Sequence, residues 1–235
     1  MKKIIALLMV VLMMMSVSGN VFAAESNLSG NIPGTNIDIN NFKQKSNEMG
    51  INAKTQKKLI EKLQKGNLLD ADNPEKYTNK VKNALTLTDK DPIKEHTFND
   101  GSKVVVSITP EVEVNQRAGI AAIDEPDRAR SCGSGYCRYY SHRVKKETGT
   151  VIMAFLADFT INNGAYDYIT QVWDETASGF GGTTSTPNLR LLQKKETSYG
   201  RANARLETTF TYFAGGASTD MTLNLYVGRD SYNVY

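Results

Sequence analysis

The C-terminal part of the chain alternates between apolar and polar positions. Ala202, Ala204, Leu206, Thr208, Phe210 and Tyr212 share one side of an extended segment, and Arg205, Glu207, Thr209 and Thr211 take the other. Leu223, Leu225 and Val227 alternate in the same way with Thr222, Asn224 and Tyr226, and Leu189 and Leu191 begin another strand. Period two marks half-buried β-strands, because successive side chains point to opposite faces of a sheet. Residues 151–157 are apolar in both phases, which suits a strand covered on both sides or a central one. Gly-rich breaks at Asn162-Asn163-Gly164, 179–182 and Gly215-Gly216 separate these runs. The pattern from 138 to 235 predicts short antiparallel strands closing a sandwich or barrel.

The N-terminal half reads differently. Asp38 is placed to cap a first helix that Gly50 ends, and Asn52 to cap a second over 53–65, with Gly66 just past it. Leu59, Ile60 and Leu63 cluster on one face of the second helix, with Lys54, Lys58, Lys62 and Lys65 roughly opposite. Such a basic face is ordinarily the solvated side of an amphipathic helix. The functional alternative is attraction to an anionic wall polymer or lipid headgroup, without the aromatic residues that would strengthen it. Residues 68–92 are polar and turn-rich, and read as a linker with one helical turn at 80–85. His96-Thr97-Phe98 and residues 103–108 flank Asn99-Asp100-Gly101, a strong hairpin signal. Residues 110–130 are acidic and irregular.

At the very start, Met1-Lys2-Lys3 precedes an almost unbroken apolar stretch to Val17, then Ser18-Gly19-Asn20 and Val21-Phe22-Ala23. That order is a cleaved secretory signal. The stretch is shorter than the ~20 residues a membrane span needs. The expected cut follows Ala23, with Ala24 as second choice, and no transmembrane segment is expected in the mature chain. The chain then divides into a signal peptide (1–23), a flexible N-terminus (24–37), a small helical region and linker (38–92), a β-hairpin and acidic loop (93–130) and a β-sandwich domain (131–235). The expected fold class is mainly β: an antiparallel β-sandwich, immunoglobulin-like or related, preceded by a short helical region and a hairpin.

Charge adds little. The formal net charge is +3, and removing Lys2 and Lys3 leaves +1. A near-neutral mature protein gives no argument for nucleic-acid binding. The two Cys, Cys132 and Cys137, lie close together. In an exported protein such a pair reads as a disulfide staple. The alternative, a redox pair, uses the C-x-x-C spacing near a helix N-terminus, and the spacing here is longer and in a β context.

Around that loop Arg128, Arg130, Arg138, Arg143, Lys145 and Lys146 interleave with Tyr136, Tyr139 and Tyr140. Tyr136, Arg138, Tyr139, Tyr140 and Arg143 make the candidate binding surface, although Tyr and Arg also simply fill exposed strand faces. Glu111, Glu113, Asp124, Glu125 and Asp127 could supply paired carboxylates for glycoside hydrolysis, or a solvated loop. They match no Ca²⁺-loop pattern. His96 and His142 lie in no metal-ligand spacing, and there is no nucleophile elbow and no phosphate loop. No catalytic residue, metal or cofactor is proposed by the sequence. The lone Trp173 is read as a core or sheet-edge residue.

Residues 49–63, 66–74 and 98–102, with 153–159, 202–206 and 223–228, resemble uncharacterised secreted proteins of Gram-positive bacteria. These have a small helical N-terminal part and a C-terminal β-sandwich. The resemblance implies an exported two-part protein of unknown function and assigns no catalytic residue. The leading functional expectation is a non-enzymatic module at or outside the cell wall, its partner a wall polymer or another extracellular macromolecule. A secreted hydrolase of polysaccharide or peptide and a membrane-active toxin-like protein are the alternatives.

Overall fold

The computed structural model describes residues 39–111, 129–212 and 217–235. The expected signal sequence with its cut at Ala23 or Ala24, the stretch to Asp38, the acidic residues Glu113, Asp124, Glu125 and Asp127, Arg128, and Gly215-Gly216 lie outside them.

Two helices open the described chain, α1 (Ile39–Glu48) and α2 (Ala53–Gln64). Gly50 closes α1 in the left-handed region (φ 67°), and Ile51 N–H bonds back to the Ser46 carbonyl at 2.9 Å. The Asn52 side chain accepts from Thr55 N–H at 3.0 Å, the cap its position predicts. Gly66 (φ 73°) ends the second helix, where Asn67 N–H reaches the Lys62 carbonyl. A third helix, α3 (Asn79–Ala84), is capped by Thr78.

The strands form two antiparallel sheets. One contains β1 (Ile93–Thr97), β2 (Lys103–Pro110), β4 (Tyr136–Thr148), β5 (Val151–Asn162) and β6 (Tyr168–Gly179), in that order, with β3 (Arg130–Gly133) also paired to β4. The other runs β11 (Tyr232–Val234), β10 (Ser218–Val227), β9 (Ala202–Tyr212) and β7 (Gly182–Thr184), with β8 (Asn188–Gln193) also on β9. The protein is mainly β, a sandwich-like pair of sheets behind a short helical region. The hairpin signal at 99–101 is real: β1 and β2 pair from Ile93 to Thr97, starting earlier than His96, and Phe98 lies in the turn. The hairpin is also the edge of the first sheet, since β2 pairs with β4 from Val104 to Pro110. Trp173 lies on the edge strand β6, beside Leu156.

The alternation seen in the sequence becomes the core. Ala202, Ala204, Leu206, Phe210 and Tyr212 of β9 and Leu223, Leu225 and Val227 of β10 are buried, as are Val104, Val106, Val144, Met153, Phe155 and Phe159 in the first sheet. Each fully buried Leu or Phe stabilises by roughly 1.5–3 kcal/mol. Residues 68–92, expected as a polar linker, instead add Leu69, Ala71, Leu85 and Leu87 to the same cluster. Their apolar residues are single and aperiodic because the segment is built of 3₁₀ turns and a six-residue helix.

A buried carboxylate fixes this segment to the sandwich. Asp72 is fully buried and accepts hydrogen bonds from the Thr148, Thr150 and Tyr212 hydroxyls. Thr148 and Thr150 flank the β4–β5 turn, and Tyr212 ends β9. One side chain therefore joins the helical region to both sheets.

Candidate functional site

The opposite end of the sandwich carries the cysteine loop. Cys132 on β3 and Cys137 on β4 face each other in register and are joined by a disulfide. Gly135 turns the chain with φ 82°. The Tyr136 ring packs over Gly133 so closely that a Cβ there would lie 2.7 Å from it.

Beyond the loop, β4 changes phase. Tyr139 pairs with Phe159 but His142 with Ala157, so three steps on β4 match two on β5. The extra residue is Ser141, in the left-handed region at φ 48°, its N–H held by Asp158 at 2.7 Å and its carbonyl by Glu111 N–H at 2.8 Å. This bulge sends both Tyr139 and His142 inward. Tyr139 stacks on Phe159 with ring centres 4.4 Å apart and meets Tyr232 and His142 edge-on. His142 is buried, its Nδ1 3.0 Å from the Tyr140 carbonyl, and loss of solvent lowers its pKa.

The five residues of the candidate surface therefore separate. Tyr136 and Tyr140 are 38% and 39% exposed, against 4% for Tyr139. The Arg138 guanidinium lies 5.1 Å from the Tyr136 ring centre, on the outer face. Arg143 is already spoken for: it grips both oxygens of Glu111 (3.0 and 2.7 Å) and reaches Asp174 at 2.9 Å. Those bonds hold the Glu111 carboxyl below the usual range. Of the acidic residues read as candidate hydrolytic groups, the one described is thus committed to an ion pair.

A pocket of about 640 Å³ opens beside the disulfide. Tyr136, Tyr139 and Tyr232 contribute its aromatic surface, with Asp89, Arg130 and Asn163 among the polar lining. Asp89 organises it. Its carboxylate accepts from the Tyr139 hydroxyl at 2.9 Å and the Tyr232 hydroxyl at 3.0 Å, and pairs with Arg130 at 2.7 Å. Burial and the Asp89 charge both raise the pKa of the two phenols, keeping them hydrogen-bond donors. Sequence reasoning missed Asp89 and Tyr232. They lie 143 positions apart, one in a turn-rich stretch and one in a three-residue final strand, and only the fold brings them together.

Among the described residues, no group of three His, Cys, Asp or Glu side chains is arranged to hold a metal ion. No helix among them is long and apolar enough to cross a membrane. Lys54 and Lys58 on α2 and Lys65 just past its end are exposed, whereas Lys62 is tied to Asp70 at 2.9 Å and Asp100 at 2.8 Å.

No protein-family model matches this chain, and no curated protein matches it. A crystal structure of a hypothetical protein from Listeria monocytogenes EGD-e is similar to it at 15% identity, with a TM-score of 0.33. The match covers 61% of this chain and 91% of that one.

Proposed function

We propose that this protein is a secreted, non-enzymatic module that binds a wall polysaccharide through the pocket beside the Cys132–Cys137 disulfide. The observation that carries the reading is the pocket's make-up. The exposed Tyr136 ring contributes apolar contact area, the buried Tyr139 and Tyr232 present their hydroxyls to Asp89, and the paired Asp89 carboxylate and Arg130 guanidinium offer an acceptor and donors. That combination of apolar wall and few convergent polar groups suits a small-molecule or sugar site. Export is supported by the N-terminal charged, apolar and small-residue order and by the disulfide. The likeness to uncharacterised secreted Gram-positive proteins belongs to the same proposal. Asp89 is engaged by three donors, so the pocket offers an orienting carboxylate rather than a free acid and base.

The test is retention on purified cell walls and on a glycan array, comparing the parent protein with Tyr136→Ala. Tyr136 is half-exposed, so its loss leaves the core intact. Retention by the parent and loss in the variant is the expected result. Absence of retention at both low and moderate salt would sink the reading.

A further inference from the structure

A second cavity, of about 220 Å³, lies between the segment carrying Asp72, Tyr77 and Lys82 and the strands β9 and β10. Lys146 lines it. On β4 the inward positions after the bulge are His142, Val144, Lys146 and Thr148, all buried. A lysine at such a position is expected to have an anionic partner, because an isolated buried cation is costly.

Among the described residues no carboxylate lies within ion-pair distance of it. The Lys146 ammonium donates to the Thr222 carbonyl at 3.2 Å and lies 4.2 Å from the centre of the Tyr77 ring. The neighbouring carboxylates are occupied elsewhere. Asp72 is near enough to favour protonation of Lys146, but it is engaged by Thr148, Thr150 and Tyr212. Asp220 accepts from the Thr209 hydroxyl at 2.9 Å, and Glu207 serves Arg190 and Arg205. Two more cations border the cavity. Lys82 lies over the Tyr235 ring at 5.0 Å, and its charge opposes that of Lys146; Arg205 donates to Asn224 at 2.8 Å.

We infer that this cavity is a second ligand site, taking a small anion of carboxylate or phosphate chemistry between Lys146 and Lys82. An ammonium has three donors, and here one carbonyl and one ring face are its partners. An anion would complete the set and relieve the repulsion between the two lysines. The cavity's size suits a few-atom anion, not a polymer. The site shares no lining residue with the pocket at the disulfide end, so it stands whether or not that pocket binds sugar.

Inorganic phosphate and acetate are the probes. Calorimetric titration at pH 8, in two buffers of different ionisation enthalpy, reads binding and proton exchange together. Loss of solvent lowers the Lys146 pKa to about 8, so a bound anion should restore its proton and binding should show proton uptake. Phosphate binding with acetate silent assigns phosphate chemistry; the converse assigns carboxylate. The expected result is that Lys146→Met abolishes both binding and uptake, while Tyr136→Ala leaves them unchanged. If Lys146→Met does not fold, Lys82→Met serves instead and should weaken binding about tenfold, the loss of one charged contact. Neither anion binding the parent protein, binding without proton uptake, or unchanged binding in the lysine variant that folds would each overturn the inference.

Discussion

The Tyr212 hydroxyl donates a 2.8 Å hydrogen bond to the carboxylate of Asp72, 140 positions earlier in the chain. The two residues belong to parts that look separate in the sequence, one to a turn-rich stretch and one to the end of a long strand. Burial raises the Asp72 pKa, and the three hydroxyl donors pull it the other way.

Removing that carboxylate should uncouple the helical region from the sheets. Asp72→Ala leaves the Thr148, Thr150 and Tyr212 hydroxyls without their shared acceptor, at a cost of about 3 kcal/mol. Asp72→Asn keeps one acceptor oxygen and should cost less. Urea midpoints of the three proteins give the order; equal stability of Asp72→Ala and the parent would contradict the assignment.

Lys146 makes stability depend on pH in the alkaline range. Its pKa falls from 10.5 to about 8 in the fold, chiefly through loss of solvent. Between those values the unfolded chain holds the proton that the folded chain has released. Stability therefore rises with pH across that window, by about 3 kcal/mol if the whole shift is expressed. Comparing urea unfolding of the parent and Lys146→Met at pH 7.5 and pH 10 isolates the effect. The difference between them should narrow as pH rises, with the Met variant the more stable at the lower pH.

The disulfide closes a short loop, so its contribution should be modest. On the chain-entropy account Cys132→Ser loses about 2 kcal/mol. Thermal unfolding with and without reductant should show the same drop in the parent, and no reductant effect in the variant.

Ser141 holds the bulge in β4 at φ 48°, a conformation that β-branched residues strongly resist. Ser141→Val should cost about 1–2 kcal/mol, and Ser141→Gly should be neutral or mildly stabilising. A thermal melt of each variant would decide. A stable Ser141→Val protein would mean the bulge is not held by this residue.

The parts of this fold that were legible were periodic ones. Leu206, Phe210, Leu223 and Leu225 announced buried strand faces, and Asn52, Gly50 and Gly66 announced helix ends, because each signal is local. Asp100-Gly101 announced the hairpin but not its place as the edge of a sheet, which is set by pairing with β4, roughly forty residues on. Leu69, Ala71, Leu85 and Leu87 were hidden because 3₁₀ turns give no regular apolar repeat. Tyr139, read in the sequence as part of an exposed surface, is buried. A strict two-residue alternation puts Tyr139 and Arg143 on the same face; the extra residue at Ser141 puts them on opposite faces. Asp89 and Lys146 carried no local signal at all, since each owes its setting to neighbours distant in sequence.

That extra residue has a further consequence. β4 behaves as two rulers joined out of step, one measuring the rim of the disulfide-side pocket and the other the interior of the sandwich. Losing or gaining one position on either side of Ser141 would leave one half intact and turn the other inside out, burying Arg143, Lys145 and Glu147 or expelling Tyr139. The spacing between Cys137 and His142 is therefore a fixed dimension of this molecule.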